Sequence, residues 1–109
     1  LRYAAMCKQH VLVIQWKSLP EDPIDKLIAV EDQIECVLPE EDYVDGHDIG
    51  SDEANIFIHT ADPTYIFPIV RRVLESMDIM DKVIIAYREI HSSDYHVIWP
   101  HESSKFGIK

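Results

Sequence analysis

The chain predicts an α+β domain, two helices laid against one sheet, and three observations lead there. Asp22-Pro23 and Asp62-Pro63 each separate an apolar, strand-like run from a stretch with helical periodicity. The two halves therefore repeat one layout: buried strand, Asp-Pro, amphipathic helix. At 109 residues there is room for one core, and a chain of this size buries roughly two-thirds of the surface it exposes when unfolded. No disulfide or metal staple is needed.

His10–Trp16 (HVLVIQW) is β-branched and apolar and reads as a buried strand. Asp22 followed by Pro23 is an N-cap and first-turn proline. Ile24, Leu27, Ile28, Ile34 and Leu38 then recur at helical spacing, with acids on the other faces, until Pro39 stops the helix. Tyr43–Ile49 reads as a short polar strand, residues 50–53 as a turn, and Ala54–Thr60 (ANIFIHT) as a second buried strand. Asp62-Pro63 opens a second helix with Ile66, Ile69, Val70, Val73 and Met77 as its apolar stripe; Pro68 inside it predicts a kink or a start delayed to about Thr64. Residues 82–90 form a strong strand, 91–94 a turn and 95–99 a further strand ended by Pro100; residues 106–108 are expected to add a short pairing.

The order is βαββαββ. Short connections and right-handed crossovers leave few topologies, and the expectation is a ferredoxin-like sandwich: two helices on one face of a mainly antiparallel sheet. The apolar first and third strands are central, and the charged second strand is at an edge, where charge blocks edge-to-edge association. Residues 1–9 are expected to be an N-terminal extension, poorly ordered or added ahead of the natural start, and residues 10–109 the single domain. Val11 and Val13 alternate with Leu12 and Ile14, as Val83 and Ile85 do with Ile84 and Ala86, so the strands are apolar on both faces. Two helices cover only one face. A homodimer is expected to cover the other.

Ten basic residues stand against twenty acidic ones, a formal net charge of −10. No Lys or Arg occurs between Lys26 and Arg71, an interval that holds eleven acids. Such a surface repels phosphate, which argues against nucleic acid and anionic membranes and in favour of solubility, a cation or a basic protein partner. No run approaches the roughly 18 apolar residues of a membrane span. Cys7 and Cys36 form no disulfide framework and read as reduced thiols, and with no secretory signal visible the expected location is cytoplasmic.

The unusual stretch is the hairpin from Asp45 to His59. A two- or four-residue turn pairs residues whose numbers sum to 103, which sets Gly46 against Phe57, whose ring would cover the glycine, and Asp48 against Asn55. Glu53 and His59 share that face by alternation; Asp45 and His47 point the other way. Asp45, His47, Asp48, Glu53, Asn55 and His59 are the candidate ligand- or partner-binding residues. Their types suit a divalent cation or acid–base chemistry, but their spacing matches neither a zinc nor a calcium loop, so no metal site and no cofactor are assigned. The same residues also suit a purely structural hairpin, with Asp48 and Ser51 capping the turn and Asn55 bonded to it. His91, His96 and His101 read as solvated, Tyr87 and Trp99 as core or interface aromatics, and no nucleophile elbow, CxxC, GxGxxG or P-loop is present.

The hairpin resembles that of an uncharacterised group of small bacterial proteins, through Val44-Asp45-Gly46-His47-Asp48-Ile49-Gly50-Ser51, Glu53 and Asn55-Ile56-Phe57-Ile58. Ala86-Tyr87-Arg88 and Ile98-Trp99-Pro100 belong to the same pattern, while Pro68 departs from the usual helix. The resemblance implies a ferredoxin-like fold and no assigned activity, and it carries over no catalytic residue. The expectation is a non-enzymatic dimeric binding module that uses the acidic hairpin and the open sheet face. The alternatives are a small metal-assisted enzyme at residues 45–59, using His47, Asp48, Glu53 and His59, and an immunity-type protein that binds a basic toxin.

Overall fold

The structure, a computed structural model, describes residues 9–100. Residues 1–8 of the extension expected over 1–9, and the short pairing expected over 106–108, lie outside the described residues. Strands β1 (His10–Trp16), β2 (Tyr43–Ile49), β3 (Ala54–Thr60), β4 (Val83–Glu89) and β5 (His96–Trp99) alternate with helices α1 (Pro23–Glu35) and α2 (Pro63–Ser76) in the expected order. A single 3-10 turn, Met80–Lys82, leads into β4. No helix of the described residues is long and apolar enough to cross a membrane.

The five strands form one sheet in the order β2-β3-β1-β4-β5, with every neighbouring pair antiparallel. The β1 strand is hydrogen-bonded on both sides, to β3 from His10↔Thr60 to Gln15↔Asn55 and to β4 from His10↔Glu89 to Trp16↔Val83. A strand paired along both edges has its backbone groups satisfied within the sheet, and apolar side chains suit it where both faces are covered. All of Val11–Ile14 and Trp16 are buried.

Both helices pack on one face. Leu12, Ile14 and Trp16 of β1, Ile56 and Ile58 of β3, and Val83 and Ile85 of β4 meet Leu27, Val30 and Ile34 of α1 and Ile66, Val70 and Leu74 of α2 in a continuous core. The stripe of α1 differs from the expected one. Leu27, Val30 and Ile34 are buried, whereas Ile24 and Ile28 are 59 % and 43 % exposed. Spacings of three and four from Leu27 lead to Val30 and Ile34; Ile28 falls beside that line, and Ile24, though on it, stands in the exposed first turn. In α2 the buried set is Ile66, Val70 and Leu74, with Ile69 only half-buried.

Pro68 neither delays nor divides α2, which is assigned continuously from Pro63. The proline sits in the second turn on the exposed side, so its cost is the missing bond to the Thr64 carbonyl, which faces away from the core. The two Asp-Pro openings also differ. Asp22 has φ 47° and ψ 60°, a left-handed conformation, and its side chain caps nothing. Asp62 is a working cap: its Oδ1 accepts the Tyr65 N–H at 3.1 Å and the Thr64 hydroxyl at 2.9 Å.

The helix-free face is less open than its composition suggests. Val11 is 4 % exposed, and Val13 and Ala86 are fully buried, although all three point away from the helices. The apolar groups left half-buried there are Phe57, Ile84 and Val97.

The hydrogen bonds from the Thr64 hydroxyl and the Tyr65 backbone hold the Asp62 carboxyl below the usual aspartate value. A group whose pKa is lower in the folded state adds stability above its unfolded value of about 3.9 and loses that contribution as pH falls through the folded value. Asp62→Ala should therefore cost about 1 kcal/mol at neutral pH, the usual worth of an N-cap. The two urea-unfolding curves should converge as the pH drops below about 4.

Candidate functional site

The β2–β3 hairpin closes through Gly50 N–H, which donates to the Glu53 carbonyl at 2.8 Å. From there Ile49↔Ala54, Asp48↔Asn55, His47↔Ile56 and Gly46↔Phe57 pair in the expected register. The register then slips by one: Val44 pairs with Ile58 and Tyr43 with His59. Asp45 is the extra residue of a β-bulge. A bulge reverses the alternation of faces beyond it, so Val44 points into the core and Tyr43 to the opposite face.

Gly46 follows from the bulge. Its φ is 141°, a conformation L side chains rarely adopt. Space is not the constraint, because a Cβ built there meets nothing within 4 Å. Phe57 lies opposite Gly46 in register but does not cover it as expected; the backbone alone calls for glycine.

Five of the six candidate residues separate into three groups, and Asp48 joins none of them. At the turn end of the helix-free face, Gln15 Nε2 donates to Asn55 Oδ1 and Asn55 Nδ2 donates to Glu53 Oε2, both at 3.0 Å. Asn55 is fully buried and Gln15 is 9 % exposed. At the other end of that face the His59 ring stacks on Tyr43 with centroids 4.9 Å apart, and His59 Nε2 lies 3.5 Å from Asp45 Oδ2. Four residues of strand, roughly 13 Å, separate Asn55 from His59. On the helix side, His47 Nδ1 lies 3.0 Å from Glu31 Oε2 of α1.

Asp45 thus keeps company with His59 rather than with His47, contrary to the alternation read from sequence; the bulge is the reason. Asp48 and Ser51 do not cap the turn: neither side chain makes a hydrogen bond among the described residues. Asn55 does stabilise the hairpin, by bridging β1 to Glu53 rather than by bonding the turn backbone.

Three partners were missed. Past His10 at its start, Gln15 is the one polar residue of an otherwise apolar strand, and that oddity was a usable signal. Glu31 and Glu35 stand one helical turn apart on α1 and both reach β2, Glu35 Oε2 accepting the Val44 N–H at 3.0 Å. They satisfy donors on the exposed edge strand, but which helical acids face β2 depends on how α1 is set against the sheet.

Chemically, the arrangement offers two separate carboxylate–imidazole pairs and one buried amide–carboxylate chain. Among the described residues, no group of three or more His, Cys, Asp or Glu side chains converges to hold a metal ion. Comparisons with protein-family models, with curated proteins and with solved structures find no match for this chain.

Replacing Asn55 by Ala should cost about 1–3 kcal/mol, because the Gln15 amide loses a buried acceptor and Glu53 a donor. Asn55→Asp should cost at least as much, since it sets a second carboxylate beside Glu53. Chemical denaturation of the three proteins at neutral pH measures both.

Proposed function

We propose that this chain is a non-enzymatic binding module on a ferredoxin-like sandwich, which recognises a basic protein through the acidic surface of α1 and β2. The sheet order supports the fold reading. The β4-β1-β3-β2 order of the first four strands, with one helix after β1 and one after β3, is what a split βαβ duplication generates, and β5 extends it at one edge. The likeness of the hairpin to an uncharacterised bacterial group fits the same reading.

One observation carries the functional part. Between Lys26 and Arg71 the chain carries eleven acids and no Lys or Arg, and on α1, β2 and the segments flanking β2 the residues Asp32, Glu35, Glu40, Glu41, Asp45, Asp48 and Asp52 are exposed. The hairpin groups best suited to chemistry, His47, His59, Glu53 and Asn55, are engaged with partners inside the chain instead. Exposed carboxylates along a stretch of chain with no Lys or Arg favour encounter with a positively charged protein and speed its association. An immunity-type protein that neutralises a basic toxin is one member of this class.

Partner capture from producing cells should be strong at about 0.1 M salt and lost near 1 M, where the screening length falls to about 3 Å. Glu41→Lys/Asp48→Lys should abolish capture at the lower salt without moving the melting temperature. A partner held equally by this variant, or at both salt concentrations, would refute the reading.

The proposal retains a second copy on the helix-free face, where Phe57, Ile84 and Val97 are half-buried. Sedimentation equilibrium should then report a dimer that Phe57→Glu converts to monomer. A wild-type protein that sediments as a monomer removes the dimer and leaves the acidic surface untouched.

A further inference from the structure

All three lysines among the described residues line one groove. Lys17, Lys26 and Lys82 border a cavity of about 610 Å³ at the β1 and β4 end of the sheet, separated from the acidic β2 edge by β3. Its apolar wall is formed by Trp16, Leu19, Met77 and Ile79, with Trp16 4 % and Ile79 2 % exposed. Three lysines in one place is unexpected for a chain of net charge −10.

The walls are tied together. Lys17 N–H donates to the Lys82 carbonyl at 2.9 Å, and Lys17 Nζ donates to the Asp81 carbonyl at 3.1 Å. The segment after α2 folds back on itself through Ile79 N–H to the Leu74 carbonyl and Lys82 N–H to the Ile79 carbonyl. Lys17 is therefore occupied in joining the two connections.

Lys26 and Lys82 have no such role. Among the described residues neither ammonium makes a hydrogen bond or stands within ion-pair distance of a carboxylate. This holds even though Glu21, Asp78 and Asp81 line the same groove. Three cations against three carboxylates leave the groove locally neutral, in contrast to the rest of the surface. The nearby first turn of α1 is also without a side-chain cap, because Asp22 is left-handed.

We propose that this groove binds a small organic anion, a carboxylate or phosphate monoester carried on an apolar, ring-sized body. The anionic head meets Lys26 and Lys82, and the body lies against Leu19, Ile79 and the edge of Trp16. Ammonium groups without internal partners are the ones able to exchange water for a ligand anion in charge-assisted hydrogen bonds. A cavity of this size with an apolar wall and a few cationic groups has the general form of a small-molecule site.

The test is an amide NMR titration of the full chain with 1-naphthoate, 1-naphthyl phosphate and the neutral 1-naphthol. Saturable shifts confined to residues 16–21 and 77–82, with at least one anion and not with 1-naphthol, are the expected result. The tighter of the two anions identifies the head group. The Lys26→Gln/Lys82→Gln protein, altered only at exposed side chains, should bind at least tenfold more weakly, about 1.4 kcal/mol. Leu19→Glu at the rim should weaken binding similarly. Shifts that do not saturate, that map elsewhere, that appear equally with 1-naphthol, or that persist unchanged in the double variant would each overturn the proposal.

Discussion

The β1 strand is bonded to β3 along one edge and to β4 along the other, and nearly every other feature of the domain is arranged around it. Its pairing removes the backbone from water, so its side chains must be apolar toward the helices and close to apolar on the reverse. Leu12, Ile14 and Trp16 supply the floor on which α1 and α2 rest. Val11 and Val13 do the corresponding work on the other face, where they are buried without any help from the helices. Gln15 is the exception, and its neighbour across the ladder is Asn55. Two amides facing each other at the end of the central strands satisfy one another, and the chain continues to Glu53 at the turn. A buried polar chain of this kind is costly when half-made, so it selects one register of β3 on β1 over a slipped one.

At the sheet edge the problem is reversed, because β2 has a free side. Three devices meet there. Asp45 bulges, Gly46 adopts the positive φ the bulge needs, and Glu31 and Glu35 of α1 reach over to His47 and the Val44 N–H. Each makes the edge a poorer template for another strand. The same acids leave a dense negative surface on that side. The groove beneath β1 and β4 is different in character, with unpaired lysines beside buried aromatic and aliphatic groups. The molecule thus presents an acidic surface around β2 and a groove of balanced charge with an apolar wall.

Much of this was legible in the sequence, and for identifiable reasons. β1, β2 and β3 were readable because period-two patterning and turn residues act locally. The pairing of Asp48 with Asn55 followed from the turn length alone. The Pro-bearing helix openings were visible too, although the difference between them was not: Asp62 is extended and its carboxylate accepts the Tyr65 N–H and the Thr64 hydroxyl, while Asp22 is turned into a left-handed conformation. Among the six hairpin candidates, the face expected for Asp45 was misjudged. A bulge adds one residue without any loud compositional mark, and every face assignment beyond it inverts.

By itself, then, the sequence determined the order of elements, the antiparallel hairpin and its turn, the buried character of the central strands and the one-sided distribution of acid. Each of these depends on residues near one another in the chain, where propensity and periodicity operate. Only the tertiary structure decided which carboxylates of α1 reach β2, that Gln15 meets Asn55, that Asp45 sits with His59, and that Lys17, Lys26 and Lys82 share a groove. Those meetings depend on how a helix is rotated on the sheet, on a single inserted residue and on where two connections end, and packing sets all three after the local elements have formed.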